Sequence, residues 1–136
     1  MKSRIRQIDL DSLAKERMLD AEMLYQSNRY DGAIYLCGYV LEYTLKSQIC
    51  KHNGWIEFTP LSNSTSFRIH SLDELLKLSG KENDILLRVN KDWLFVKNNW
   101  APANRYVVND RSLPEVAADC LAFIEGTKAV VKEICS

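Results

Sequence analysis

The chain carries no surplus of charge of either sign. Eighteen Lys and Arg face eighteen Asp and Glu, so the formal net charge is zero. A protein whose main task is to grip duplex nucleic acid usually has a basic excess. Only a local basic patch remains open to it, and the cluster Lys2, Arg4 and Arg6 reads as a short solvated end. No apolar run approaches transmembrane length. The first residues lack the continuous apolar core of a signal peptide. There are two histidines, His52 and His70, and four cysteines, none in a C-x-x-C pair or at metal-ligand spacing from a histidine. That excludes a zinc-ribbon or redox-motif reading, and no metal or cofactor is expected. The setting expected is a reducing cytosol with free thiols.

No segment alternates apolar and polar residues as a half-buried strand does. With 46% hydrophobic residues the chain is not disordered. At 136 residues it is expected to form one domain with a real core. The expected fold is all-α, an up-down bundle of four long helices plus one short helix. Residues 1–8 are expected to be a flexible N-terminus and residues 51–70 a long loop.

Apolar residues recurring at three and four predict a first helix from about Ser12 to Ser27, capped by Asp9 or Asp11. Ser27-Asn28 breaks the pattern, and so short a connection implies an antiparallel hairpin. The second helix, Tyr30 to Cys50, is apolar almost all the way round and belongs at the centre. One stripe of it is polar: Asp31, Tyr35, Tyr39, Glu42 and Lys46. Gly54, Pro60 and Asn63-Ser64-Thr65-Ser66 mark the loop. Ser71, with Glu74 three residues on, predicts the cap of a short helix that Gly80 ends. A fourth helix is expected from about Glu82 to Asn98, with Trp93 in its buried stripe. Ser112, with Glu115, is expected to cap the last helix. Trp55, Trp93 and Trp100 are candidates for exposed stacking surfaces, with Trp93, at helical spacing, read as core.

The order of these segments resembles the HEPN family, small helical domains named for nucleotide binding. The resemblance rests on Asn28-Arg29-Tyr30-Asp31-Gly32-Ala33-Ile34-Tyr35 running into Gly38-Tyr39-Val40-Leu41-Glu42 and Leu45-Lys46. Arg68-Ile69-His70-Ser71-Leu72-Asp73-Glu74-Leu75-Leu76 then follows, and the whole covers about Asp9 to Cys135. Nuclease members share an R-x(4–6)-H motif near the start of the last helix. There an RNA 2′-hydroxyl attacks the adjacent phosphate, with the histidine moving protons and the arginine holding the phosphate. Arg105 stands where that arginine belongs, but the positions for the histidine hold Asp110, Arg111 and Ser112. No arginine lies five to seven residues before His52 or His70 either. The usual ribonuclease site is therefore missing.

Trp100 followed by Arg105-Tyr106 is similar to the R-Y variant of HEPN domains found beside minimal nucleotidyltransferases, although Val107 replaces the proline common there. The resemblance thus implies a non-catalytic, homodimeric accessory domain. It would associate with nucleotide or RNA, with a nucleotidyltransferase-type partner in a toxin–antitoxin or defence module. Its candidate ligand-binding residues are Tyr35, Tyr39, Glu42, Lys46, Arg105, Tyr106 and Arg111. Lys46, Arg105 and Arg111 would offer cations to a phosphate, and a tyrosine would stack on a base.

Plainer readings stand beside these. Glu42 and Lys46 also suit a solvated i, i+4 pair stabilising the helix by about 0.3 kcal/mol. Arg105 can pair with Glu42 or an acidic neighbour while Tyr106 packs on the bundle. His70 is either a ligand-binding or acid–base residue or a histidine that bonds a loop carbonyl. Two further functions stay open: a ribonuclease that uses His70 in place of the missing histidine, and a pure protein-interaction module.

Overall fold

A computed structural model describes residues 5–58, 71–100 and 108–136. It is an all-α bundle with six helices among the described residues: α1 (Gln7–Gln26), α2 (Tyr30–Asn53), α3 (Leu72–Ser79), α4 (Glu82–Arg88), α5 (Asn90–Asn99) and α6 (Pro114–Ile134). Among the described residues the sole β pairing is an isolated antiparallel bridge, Arg6 to Glu57. No described helix is long and apolar enough to cross a membrane.

The hairpin of α1 and α2 is the foundation. Asn28 takes a left-handed backbone (φ 62°) between them, and its side chain accepts a hydrogen bond from the Tyr30 hydroxyl at 2.8 Å. At the far end, Ser47 Oγ donates to Asp11 at 2.5 Å and Gln7 Nε2 donates to Ser47 Oγ at 3.0 Å. The start of α1 therefore lies beside the end of α2, and the two run antiparallel. Cys120, near the start of α6, approaches the Tyr30 carbonyl. α6 thus begins beside the start of α2 and runs parallel to it. Arg88 pairs with Glu133 while Phe95 stacks on Phe123 at 5.0 Å, so α4 and α5 run against α6. Up and down alternate through α1, α2, the α4–α5 pair and α6. The core these helices enclose includes Leu41, Leu45, Ile49, Leu75, Trp93 and Val130, each at most 1% exposed.

Several boundaries differ from expectation, each for a local reason. α1 begins at Gln7, not Ser12, because Gln7 N–H donates to the Ile56 carbonyl and Phe58 N–H to the Ile5 carbonyl, both at 2.8 Å. Those bonds tie residues 5–8, expected to be flexible, to the chain after α2. Asp9 and Asp11 sit inside the helix and do not cap it. Asp9 pairs with Arg6 at 2.9 Å, and Asp11 serves the α1–α2 contact.

α2 continues one turn past Cys50 and ends where Gly54 turns left-handed (φ 70°). The loop expected over residues 51–70 is therefore helical at its start, and residues 59–70 lie outside the described residues. Ser71 does cap α3, accepting from the Glu74 N–H, and Gly80 ends it. The expected fourth long helix is broken at Val89 (φ −135°, ψ 33°) into α4 and α5, so the described residues form three long helices and three short ones. Trp93 and Val96 on α5 are buried, whereas on α4 Ile85 alone is, and the break lets each piece aim its own face inward. Ser112 does not cap α6. Its hydroxyl donates to Asp110 Oδ1 at 2.7 Å within the preceding turn, and α6 starts with Pro114 behind Leu113.

Candidate functional site

The polar stripe of α2 is not the solvated face that its charges suggest. Glu42 is 3% exposed at its side chain and Lys46 14%. Lys46 Nζ donates to Glu42 Oε2 at 3.1 Å and lies over the Phe58 ring, 5.4 Å from its centre. Phe58 is itself buried. The i, i+4 spacing brings the two charges together. The fold of residues 54–58 back against α1 then places an aromatic ring over the cation.

One and two turns before Glu42 the stripe becomes aromatic. The Tyr35 and Tyr39 hydroxyls lie 3.3 Å apart and their rings meet edge to face at 5.1 Å. Tyr39 also meets the Trp100 ring edge to face at 5.5 Å and is followed by Tyr43 at 6.1 Å. The hydrogen bond with Tyr35, then burial and the nearby Glu42 carboxylate, push the Tyr39 hydroxyl up to about 12. Burial first, then Glu42, also raises Tyr43. At neutral pH Tyr39 and Tyr43 therefore present protonated hydroxyls, able both to donate and to accept.

Trp100, a candidate for an exposed stacking surface, is buried instead. It is 7% exposed, and its indole N–H donates to the Tyr35 carbonyl at 3.0 Å. Its ring lies on Gly38, where a Cβ would come within 1.8 Å of Trp100 Cε2. Glycine one turn after Ile34 is thus what lets α2 accept the indole. Trp55 is half-buried, packs against the core and donates its N–H to the Cys50 carbonyl at 2.8 Å.

The candidate residues are not all brought together. Tyr35, Tyr39, Glu42 and Lys46 share one face of α2. Arg111 is exposed and lines the opposite end of that helix, beside Arg29 and Asp31. Asp31 accepts from the Asn109 N–H at 2.8 Å and from Asn109 Nδ2 at 2.6 Å, which holds the chain around Arg111 there. Fifteen residues of helix separate Asp31 from Lys46, about 22 Å. Arg111 and Lys46 cannot grip one phosphate, so the three-cation cleft expected from sequence loses that member. Arg105, Tyr106 and His70 lie outside the described residues. His52 is exposed at the end of α2, packed by its ring against Gly80.

Among the described residues, no group of three His, Cys, Asp or Glu could hold a metal. Cys37 and Cys120 are buried beside each other's helices. Burial pushes their thiols up to about 11 and about 12, so neither is a nucleophile at neutral pH.

A second feature had no counterpart in the sequence reading. A groove of about 440 Å³ opens between α1 and α6 over the opposite face of α2. Ala14, Met18, Val40 and Val131 line its apolar part. Lys15, Lys51, Lys128 and Lys132 stand around it. These lysines come from three helices, so no single stretch of sequence displays the cluster. Phe58 over Lys46 was missed for a similar reason, since it sits in a turn-rich segment with no periodicity to mark it.

Comparison with known proteins gives no match to a family model, to a curated protein or to a solved structure.

Proposed function

We propose that the chain is a non-catalytic, HEPN-like helical domain that associates with nucleotide or RNA, in the cytosol, as an accessory module. The observation that carries this reading is the Glu42–Lys46 pair, sunk to 3% and 14% exposure beside the Tyr35–Tyr39 ladder. Withdrawing two charges from water costs several kcal/mol per ion, and their attraction often fails to offset it. A pair retained at that cost is better understood through what it recognises or positions than through stability. A lysine cation, a carboxylate and tyrosine hydroxyls within three turns of one helix offer groups suited to phosphate, ribose and base. The resemblance set out above places its acidic and basic motif positions on these same two residues. It also supplies the expectation of a nucleotidyltransferase-type partner in a toxin–antitoxin or defence module. The homodimer is supported by apolar side chains left at the surface, among them Leu19 and Met23 one turn apart on α1, at 57% and 67% exposure.

A thermal-shift screen against nucleotides and short RNA tests the reading. A ligand at a hundred times its Kd stabilises by about 2.7 kcal/mol, which raises the melting temperature visibly. The expected result is a shift that Lys46→Met removes. Silence with every nucleotide and RNA would instead favour a pure protein-interaction module. Cleavage of total RNA, lost in His70→Ala, would show an enzyme. Light scattering on the same samples reads the dimer, and a monomer at tens of micromolar would remove that part.

A further inference from the structure

The α1–α2–α6 groove is independent of the stripe just discussed. On the helical wheel Val40, Thr44 and Lys51 fall about 150° from Tyr35, Tyr39, Glu42 and Lys46, so the two features use opposite faces of α2. Its volume, about 440 Å³, lies within the range of pockets that hold small ligands. Its lining includes no aromatic residue on which a base could stack. The floor is apolar, from Ala14 and Met18 on α1, Val40 on α2 and Val131 on α6.

The charges around it are unbalanced. Asp11 is the acid in the lining, and it is already engaged by Gln7 at 2.6 Å, Ser47 at 2.5 Å and Lys51 at 3.4 Å. Lys128 is held by Glu22 at 2.9 Å. Lys15 and Lys132 are exposed and make no ion pair among the described residues. They stand on α1 and α6, the two walls.

We propose that this groove binds an anionic amphiphile, with an apolar chain on the Met18–Val40–Val131 floor and a carboxylate or phosphate head between Lys15 and Lys132. Apolar burial supplies the affinity and the lysines select the sign of the head. A nucleotide meets neither condition here, because the floor offers no ring and the apolar length would stay empty. From Asp11 to Met18 the groove runs about 10 Å along α1, room for a medium-length alkyl chain lying flat.

Isothermal titration calorimetry on the full chain tests this with decanoate, decyl phosphate and decyltrimethylammonium, each below its micelle concentration. Both anions, or either one, are expected to bind saturably at one site, and which of them binds identifies the head group. The cation is expected not to bind. Raising the salt concentration should weaken binding. The double reversal Lys15→Glu/Lys132→Glu should weaken it about tenfold or more with the melting temperature unchanged. Val131→Trp, which fills the floor from a half-buried position, should abolish it, and that variant decides the matter if the double reversal does not fold. Failure of both anions to bind, equal binding of the cation, or affinity untouched by both variants would overturn the proposal. An acidic peptide that binds where the alkyl anions do not would overturn it too. Each outcome is independent of the nucleotide screen, because Lys46→Met leaves this groove intact.

Discussion

A single missing methyl group shapes the middle of α2. At Gly38 a Cβ would lie 1.8 Å from Cε2 of Trp100, 2.1 Å from Cδ2 and 2.3 Å from Cζ2. The indole has little freedom to withdraw, since its N–H is fixed to the Tyr35 carbonyl and its edge meets Tyr39. In an open helix Gly→Ala gains about 0.5–1 kcal/mol. Here overpacking reverses the sign, and Gly38→Ala should destabilise by about 1–3 kcal/mol. Thermal unfolding followed by circular dichroism checks it, and a variant as stable as the parent would contradict the packing. Glu42 teaches a different lesson at the same scale. Its charge and its i, i+4 partner were legible in the sequence, but its burial was not. A wheel shows which residues share a face, yet the ring that meets the partner Lys46 is Phe58, twelve residues beyond that lysine.

Among the helices, stability is unevenly spread. α2 buries residues along its whole length, from Tyr30 to Cys50, whereas α4 spans seven residues and buries Ile85 alone. A helix that short is marginal without packing. Amides of α4 should therefore exchange with solvent well before those from Cys37 to Ile49. Hydrogen exchange followed by mass spectrometry measures the order, and equal protection of the two segments would contradict it. The existence and type of the helices could be read from periodicity, because an apolar face recurring at 3.6 residues has few other uses. Their ends could not. Asp9, Asp11 and Ser112 are all good caps by type, but each found a partner elsewhere: Arg6, Ser47 and Asp110. The break at Val89 carries no glycine or proline to announce it.

For the molecule as a whole, burial holds a set of thiols and phenols neutral. Cys37 and Cys120 are pushed up to about 11 and about 12 and Tyr39 to about 12, while Cys50 and Tyr43 are raised as well. Each keeps its proton longer in the folded chain than in the unfolded one. Above pH 9, where an ordinary thiol ionises, the unfolded chain holds fewer protons, so stability falls as pH rises. This contribution is complete at neutral pH and is lost through the range from 9 to about 12. The melting temperature should hold near neutral pH and drop from about pH 9 to about pH 10.5, and a flat profile would contradict it. The same burial should let Cys135 alone react with a thiol reagent in the folded state. Cys37, Cys50 and Cys120 should join it only in denaturant.

By itself the sequence determined that the chain is helical, that Tyr30 to Cys50 lies at the centre, and that an Arg–His ribonuclease motif is missing. These follow from local periodicity and residue identity, which a linear chain carries openly. The tertiary structure decided the rest. It buried Glu42 with Lys46, set Phe58 against the Lys46 cation, seated Trp100 on Gly38, and moved Arg111 to the far end of α2 from Lys46. It also gathered Lys15, Lys51, Lys128 and Lys132 from three helices around one apolar floor. Such juxtapositions depend on how helices pack across long stretches of chain, and no local pattern encodes them.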